Sequence, residues 1–273
     1  MHEPARPSQF PDLNRLSFLG AVILLAYALA RNVDLPERVF NLQLPGIFLA
    51  PRVNTGTLVS LLVAALTITG AHWLLQDHPA LRKKNALEHW LLPGLTAWVI
   101  ELPLSQLPLN PLWWAGFALG GGLIILVLIA EYIAVDPDDI WHTPASAVLI
   151  SLSFSLYLVL ATSLRFSQTR LFFLIPILGL ASFLVSLRTL HLRLHGQWAF
   201  QQAFLVTFLT VQLAAAFHYW PLTPVAYGLV LLGPAYSLTS LLGNLAEGES
   251  IRQAAIEPAI ILILVWGIAL GMS

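Results

Sequence analysis

Apolar residues in this chain come in solid blocks, about nine of them, separated by short connectors that hold most of the charge. A helix needs about 20 apolar residues to cross roughly 30 Å of hydrocarbon, whereas membrane strands would alternate in polarity. The blocks run approximately from Leu16 to Ala30, Leu58 to Leu75, Trp90 to Leu107, Leu112 to Ala130, Ala145 to Leu164, Leu171 to Leu187, Ala203 to Tyr219, Leu222 to Leu242 and Ala254 to Met272. The pattern predicts an all-α fold, a polytopic transmembrane helical bundle of about nine spans in a single integral membrane domain over residues 1–273.

Two stretches admit a second reading. The first block is short, lies between Arg15 and Arg31, and ends in Ala26, Ala28 and Ala30, small residues of the kind found at a signal-peptidase site. A retained span is preferred, because the preceding segment is long and mixes Glu3 and Asp12 with Arg6, and arginines at both ends can reach headgroups. Between the first two blocks, Asn32 to Thr55 holds a short apolar piece, Leu42 to Ala50, broken by Pro45-Gly46. It is too short to cross as a helix, so it is interfacial, re-entrant or packed over the bundle.

Composition supports lipid as the main solvent. Charged residues are 10% and apolar ones 58%, against about a quarter and a half in soluble domains; mean hydropathy is +0.78. The absence of cysteine excludes disulfides and thiolate metal sites. A net charge of −1 offers no basic stripe for a phosphate backbone, so nucleic acid is not an expected partner. The only lysines, Lys83 and Lys84, sit in a connector, which excludes a retinal-type Schiff base inside the bundle.

The connectors also orient the chain. With the N-terminus cytoplasmic, eight basic residues lie inside (Arg6, Arg15, Arg82, Lys83, Lys84, Arg188, Arg193, Arg252) and five outside (Arg31, Arg38, Arg52, Arg165, Arg170). Nine spans then put the C-terminus outside, in a multi-pass protein of the cell membrane.

A shift of about 113 residues aligns Pro108-Leu109-Asn110-Pro111 with Pro221-Leu222-Thr223-Pro224, Trp114 with Tyr227, and Leu119-Gly120 with Leu232-Gly233. Upstream it pairs His78 with His191, Leu81 with Leu194 and Ala86 with Ala199. The expectation is two parallel four-span repeats, approximately 16–135 and 145–248, followed by an extra span at 252–273. Chance similarity between Leu-rich helices is the alternative; the paired Pro-x-x-Pro turns are the specific part.

An ionisable group in hydrocarbon costs on the order of 3 kcal/mol or more, so each one calls for a partner or a purpose. Glu101 lies in the third span shortly before Pro103, and the repeat places Gln212 at a similar depth in the seventh. A facing Glu101 and Gln212 would form a polar pair along a solute path. Glu131 closes the fourth span and Glu257-Pro258 opens the ninth, as solute contacts or as interfacial carboxylates reaching headgroup water.

Most histidines fall on the inner side, where His72, His89, His142 and the His191-x-x-x-His195 pair are metal-ligand candidates. The HxxxH pair resembles that of the intramembrane hydrolases of the ceramidase and progestin-receptor type. Here it lies between spans beside Arg188 and Arg193, not within a late helix, so that family's pattern is not met and no metal or other cofactor is assigned. No G-x-S-x-G, H-E-x-x-H or Walker loop occurs. Gly116 and Gly120 read as a small-xxx-small packing face, and Trp73, Trp90, Trp113, Trp114, Trp141 and Trp220 as headgroup anchors at span ends.

Leu44-Pro45-Gly46-Ile47, Asp77-His78-Pro79 and His89-Trp90-Leu91-Leu92-Pro93 carry a wider resemblance. Through them the chain resembles polytopic membrane proteins grouped as domains of unknown function in green non-sulfur bacteria. That resemblance implies a membrane fold and no activity. The leading expectation is a protein that binds or translocates a small or lipidic solute, its partner otherwise being the lipid bilayer. The alternatives are a metal-dependent intramembrane hydrolase at the cytoplasmic face and a non-catalytic subunit or assembly factor with membrane-protein partners.

Because the chain lacks cysteine, orientation is directly readable. Lys84→Cys is expected to react with a membrane-impermeant maleimide only after the cytoplasmic face is opened, and Arg170→Cys in intact cells; the reverse pattern would invert the topology.

Overall fold

The computed structural model describes residues 11–30, 38–39, 42–44, 47–49, 52–53, 55–76, 78, 81, 87–194 and 196–272. Among these stand nine α-helices, each overlapping one of the apolar blocks: α1 (Leu13–Ala30), α2 (Thr55–Leu75), α3 (Leu91–Gln106), α4 (Pro111–Ile133), α5 (His142–Phe166), α6 (Leu171–Arg193), α7 (Phe200–His218), α8 (Pro224–Ala246) and α9 (Ile251–Gly271). The connector after α1 contains four short strands, β1 (Arg38–Val39), β2 (Leu42–Leu44), β3 (Ile47–Leu49) and β4 (Arg52–Val53). β1 pairs antiparallel with β4, and β2 with β3. The short apolar piece therefore folds as a hairpin, while its Pro45-Gly46 break lies outside the described residues.

Seven of these helices are long and apolar enough to cross a membrane: α2 and α4 to α9. α1 and α3 fall short by length. With 16 residues, α3 spans about 24 Å. More than half of its residues are buried against neighbouring helices.

The chain divides into two compact units, Met1–His142 and Thr143–Ser273. In the first, α1 packs on α2 and α4, α2 on α3, and α3 on α4 around Ile23, Val63, Ala97, Ile124 and Leu128. The α3–α4 contact depends on the expected glycine face. A Cβ at Gly120 would come within 2.6 Å of Ile100 and one at Gly116 within 3.3 Å of Leu104, so a larger residue would push the two backbones apart. The Tyr27 hydroxyl of α1 donates to the Ala97 carbonyl of α3.

In the second unit α6 packs on α7 and α8, α7 on α8, and α8 on α9. The α8–α9 pair solves a problem that lipid makes severe. A proline inside a helix has no N–H, so the carbonyl four residues earlier loses its donor, and hydrocarbon supplies no replacement. Pro234 in α8 frees the Val230 carbonyl, which accepts from Trp266 Nε1 of α9 at 3.1 Å. Pro258 in α9 frees the Ala254 carbonyl, which accepts from Asn244 Nδ2 of α8 at 3.0 Å. Each helix thus repairs the other's break.

α4 and α8 begin alike. Asn110 and Thr223 are N-caps whose side chains accept from the backbone N–H three residues on, and each helix has Pro at its first position. Both are 23 residues long.

Outside these cores the surface is apolar, the inverse of a water-soluble protein. Leu61, Leu62, Leu119, Phe204, Phe208, Ile263 and Leu264 are all exposed. Of the expected headgroup tryptophans, Trp73, Trp114, Trp141 and Trp220 are exposed, with Arg15 over the Trp73 ring at 4.9 Å. Trp113 departs from expectation. It is only 3% exposed, belongs to the core of the first unit and stacks on Phe117, because its position faces inward from the first turn of α4.

The proline repair makes a coupled prediction. Trp266→Phe leaves the Val230 carbonyl unpaired and is expected to cost about 1–2 kcal/mol in unfolding measurements. In a Pro234→Ala background, which restores the backbone donor, the same substitution should cost close to nothing; equal costs in both backgrounds would refute the repair.

Candidate functional site

Many hydroxyls within the helices are satisfied locally. Thr67, Thr96, Ser153, Thr210 and Thr239 each donate to the carbonyl four residues earlier, at 2.7–2.8 Å. The groups that require cross-helix partners, or have none, are the informative ones.

In the first unit a 3-10 turn at Leu87–His89 precedes α3 and turns the His89 ring toward the last turn of α4. His89 Nδ1 lies 2.7 Å from Glu131 Oε2, and the two side chains are 3% and 1% exposed. Glu88 Oε1 stands 3.4 Å from the other ring nitrogen. Glu131 therefore does not reach headgroup water as an interfacial carboxylate would; a buried imidazole holds it. Nearby, His78 packs edge-on against Tyr132 at 4.7 Å. Burial pushes the His78 imidazole below its ordinary value and His89 adds to this, while Asp136 and Asp139 pull the other way.

The other candidate histidines disperse. His72 packs edge-on against Trp90 at 5.1 Å, His142 is the first residue of α5, and His191 is buried 4.3 Å from the Trp198 ring. His195 lies outside the described residues. Among the described residues no three His, Asp or Glu side chains converge on a point that could hold a metal ion.

Glu101 is half-buried in α3, within electrostatic range of the Tyr27 hydroxyl, and one turn beyond the carbonyl to which Tyr27 donates. Glu257 is exposed near the start of α9 and accepts a hydrogen bond from the Tyr236 hydroxyl at 3.1 Å.

Gln212 differs from all of these. It lies in a groove of about 610 Å³ between α7, α8 and α9, walled by apolar residues such as Leu209, Leu213, Leu241, Leu262 and Trp266. The two helix-breaking prolines, Pro234 and Pro258, also line it. Ser237, the other polar side chain there, is satisfied by donating to the Pro258 carbonyl at 2.8 Å. The exposed Gln212 carboxamide has no hydrogen-bond partner among the described residues. It lies about 18 Å into α7 and about 9 Å from its end, a depth where an unpaired amide costs roughly 4 kcal/mol or more in hydrocarbon.

A family model described as a protein of unknown function, DUF5656, matches residues 35–271. The chain belongs to this family. No curated protein and no solved structure matches it. The matched region of this DUF5656 chain includes the groove, the His89–Glu131 pair and every helix but α1.

Sequence reasoning did not single out two features of the DUF5656 chain. Arg193, counted only as a connector charge, ties α6 to α8: its guanidinium meets Glu247 at 3.0 Å and Asn244 Oδ1 at 2.6 Å. A Cβ at Gly243 would come within 2.8 Å of it, so the glycine is what admits the arginine. The other is Arg165, which donates to two carbonyls at the end of α7. Neither spacing forms a local motif, since the partners are about 50 residues apart in sequence.

Removing one member of a buried pair takes from the other its closest partner. Glu131→Ala is expected to lower stability by about 3 kcal/mol or more, whereas the double change His89→Leu with Glu131→Leu should recover most of that loss. Thermal unfolding in detergent checks this, and additive losses would contradict the pairing.

Proposed function

We propose that this protein binds or moves a small or lipidic solute within the membrane, and that the α7–α9 groove is where the solute sits. The observation that carries this reading is the Gln212 carboxamide, without a hydrogen-bond partner among the described residues, in a groove walled mostly by apolar side chains. Its volume of about 610 Å³ falls within the range of ordinary small-molecule sites. An occupant with an apolar body and one hydrogen-bonding group would satisfy the amide and cover the leucine walls. Glu101 is proposed as a polar solute contact within the first unit, while Glu131 and Glu257 already hold His89 and Tyr236 as partners.

The proposal includes an internal duplication. The matching caps, N-terminal prolines and equal lengths of α4 and α8 support it, as does consecutive packing of α2–α3–α4 and of α6–α7–α8. Nine crossings, with the N-terminus cytoplasmic and the C-terminus outside, remain the topology we propose.

Photoaffinity labelling of the purified chain tests the groove, using a long-chain alcohol bearing a diazirine and the matching alkane. Labels from both are expected on α7 to α9. Gln212→Leu should weaken alcohol labelling about five- to tenfold and spare the alkane, as loss of one hydrogen bond predicts. Ala216→Trp, which fills the groove, should abolish both. Alcohol labelling unchanged in both variants would end the proposal, and Glu101→Gln with unaltered binding and stability would remove Glu101 from it.

A further inference from the structure

At the opposite end of the second unit from Glu247 lies a pocket of about 650 Å³, formed by the end of α5, the turn into α6, the end of α7 and the start of α8. Its polar lining is Arg165, Gln168, Thr169, His218 and Tyr219. It is separate from the α7–α9 groove, sharing none of that groove's lining residues.

Arg165 is held rigidly. Nη1 donates to the His218 carbonyl at 2.6 Å and Nη2 to the Trp220 carbonyl at 3.0 Å, while the guanidinium lies 5.2 Å from the centre of the Tyr227 ring. These contacts fix the fork but do not use it up. The Nε–H and the second hydrogen on each terminal nitrogen remain. They also do not neutralise it, since carbonyls carry no net charge and Arg165 has no carboxylate partner among the described residues.

The distribution of acid explains why. From residue 143 onward the only carboxylate side chains are Glu247, Glu249 and Glu257. Glu247 and Glu249 follow the far end of α8, a helix about 34 Å long, and Glu257 sits near the start of α9 at that same far end. At such separations none of the three can form an ion pair with Arg165. Meanwhile Arg170, exposed at the start of α6, adds a second positive charge to the pocket end. His218 Nδ1 is buried there without a hydrogen-bond partner among the described residues, and the Gln168 carboxamide also faces the space.

A preorganised guanidinium with uncommitted donors and no carboxylate partner among the described residues, flanked by amide, hydroxyl and imidazole groups, is the chemistry that recognises a phosphate oxyanion. We propose that this pocket binds a phosphate group, either the headgroup of an anionic phospholipid or free phosphate. Tying down the end of α7 explains two of Arg165's donors and its position; it does not explain the cavity beside it or the lack of a carboxylate partner among the described residues.

The test uses the purified full chain in neutral detergent, with the thermal unfolding midpoint as readout. Inorganic phosphate at constant ionic strength, phosphatidylglycerol and phosphatidylcholine are titrated separately. A rise with phosphatidylglycerol alone identifies a lipid headgroup, and a rise with both anions identifies a phosphate site open to either. Because Arg165→Gln also uncaps α7, the decisive variant is Gln168→Glu. It places a carboxylate beside Arg165 without removing a structural bond, so the unliganded midpoint should not fall. Anion affinity should drop about tenfold or more, the loss expected for a charge-assisted hydrogen bond. No shift with either anion in the unaltered chain, or an equal shift in Gln168→Glu, would overturn the proposal.

Discussion

The helix junctions of this structure are shaped by the rule that a backbone polar group facing hydrocarbon must find its partner within the protein. The α8–α9 pair shows the rule at its most demanding. Two prolines each remove a helical donor, and the carbonyls they free are taken up reciprocally by Trp266 and Asn244. Asn244 then receives Arg193 on its carboxamide oxygen, so the repair of one helix break is linked to the anchoring of α6. Gly243, which admits the guanidinium, completes the same junction. These residues act as one unit because an unpaired group among them would have no water to turn to.

The first unit meets the rule differently. Its buried titratable pair, His89 and Glu131, is drawn together from a 3-10 turn and the end of α4 with almost no exposure. Close approach through Gly116 and Gly120 supplies the dispersion contacts that association in lipid relies on in place of a hydrophobic driving force. Its short central helix, α3, can be of this length because it is enclosed by neighbours along much of its surface.

Two polar groups stand out because each borders a cavity. Gln212 presents its carboxamide to an apolar groove, and Arg165, with no carboxylate partner among the described residues, presents its guanidinium to a polar pocket. Both lie in the second unit, on different faces of the helices that build it. A protein whose solvent punishes unpaired polarity retains such groups at a cost, which makes them the places where an outside molecule has something to contribute.

The nine helices were legible in the sequence because lipid imposes block-length hydrophobicity, a local property. All nine predicted blocks coincide with helices, and the packing role of Gly116 and Gly120 was readable from their spacing. Gln212 and Glu101 could be singled out because a polar residue in an apolar block is conspicuous by itself. Its surroundings are not. Whether Glu131 met water or His89, and whether Trp113 faced headgroups or the core, depended on residues tens of positions away. The groove, the proline repairs, the Arg193 junction and the Arg165 pocket likewise join segments distant in sequence. Hydropathy is summed along the chain and so can be read from it; hydrogen-bond satisfaction and enclosed volume are set by which helix faces meet, and only the tertiary structure decided those.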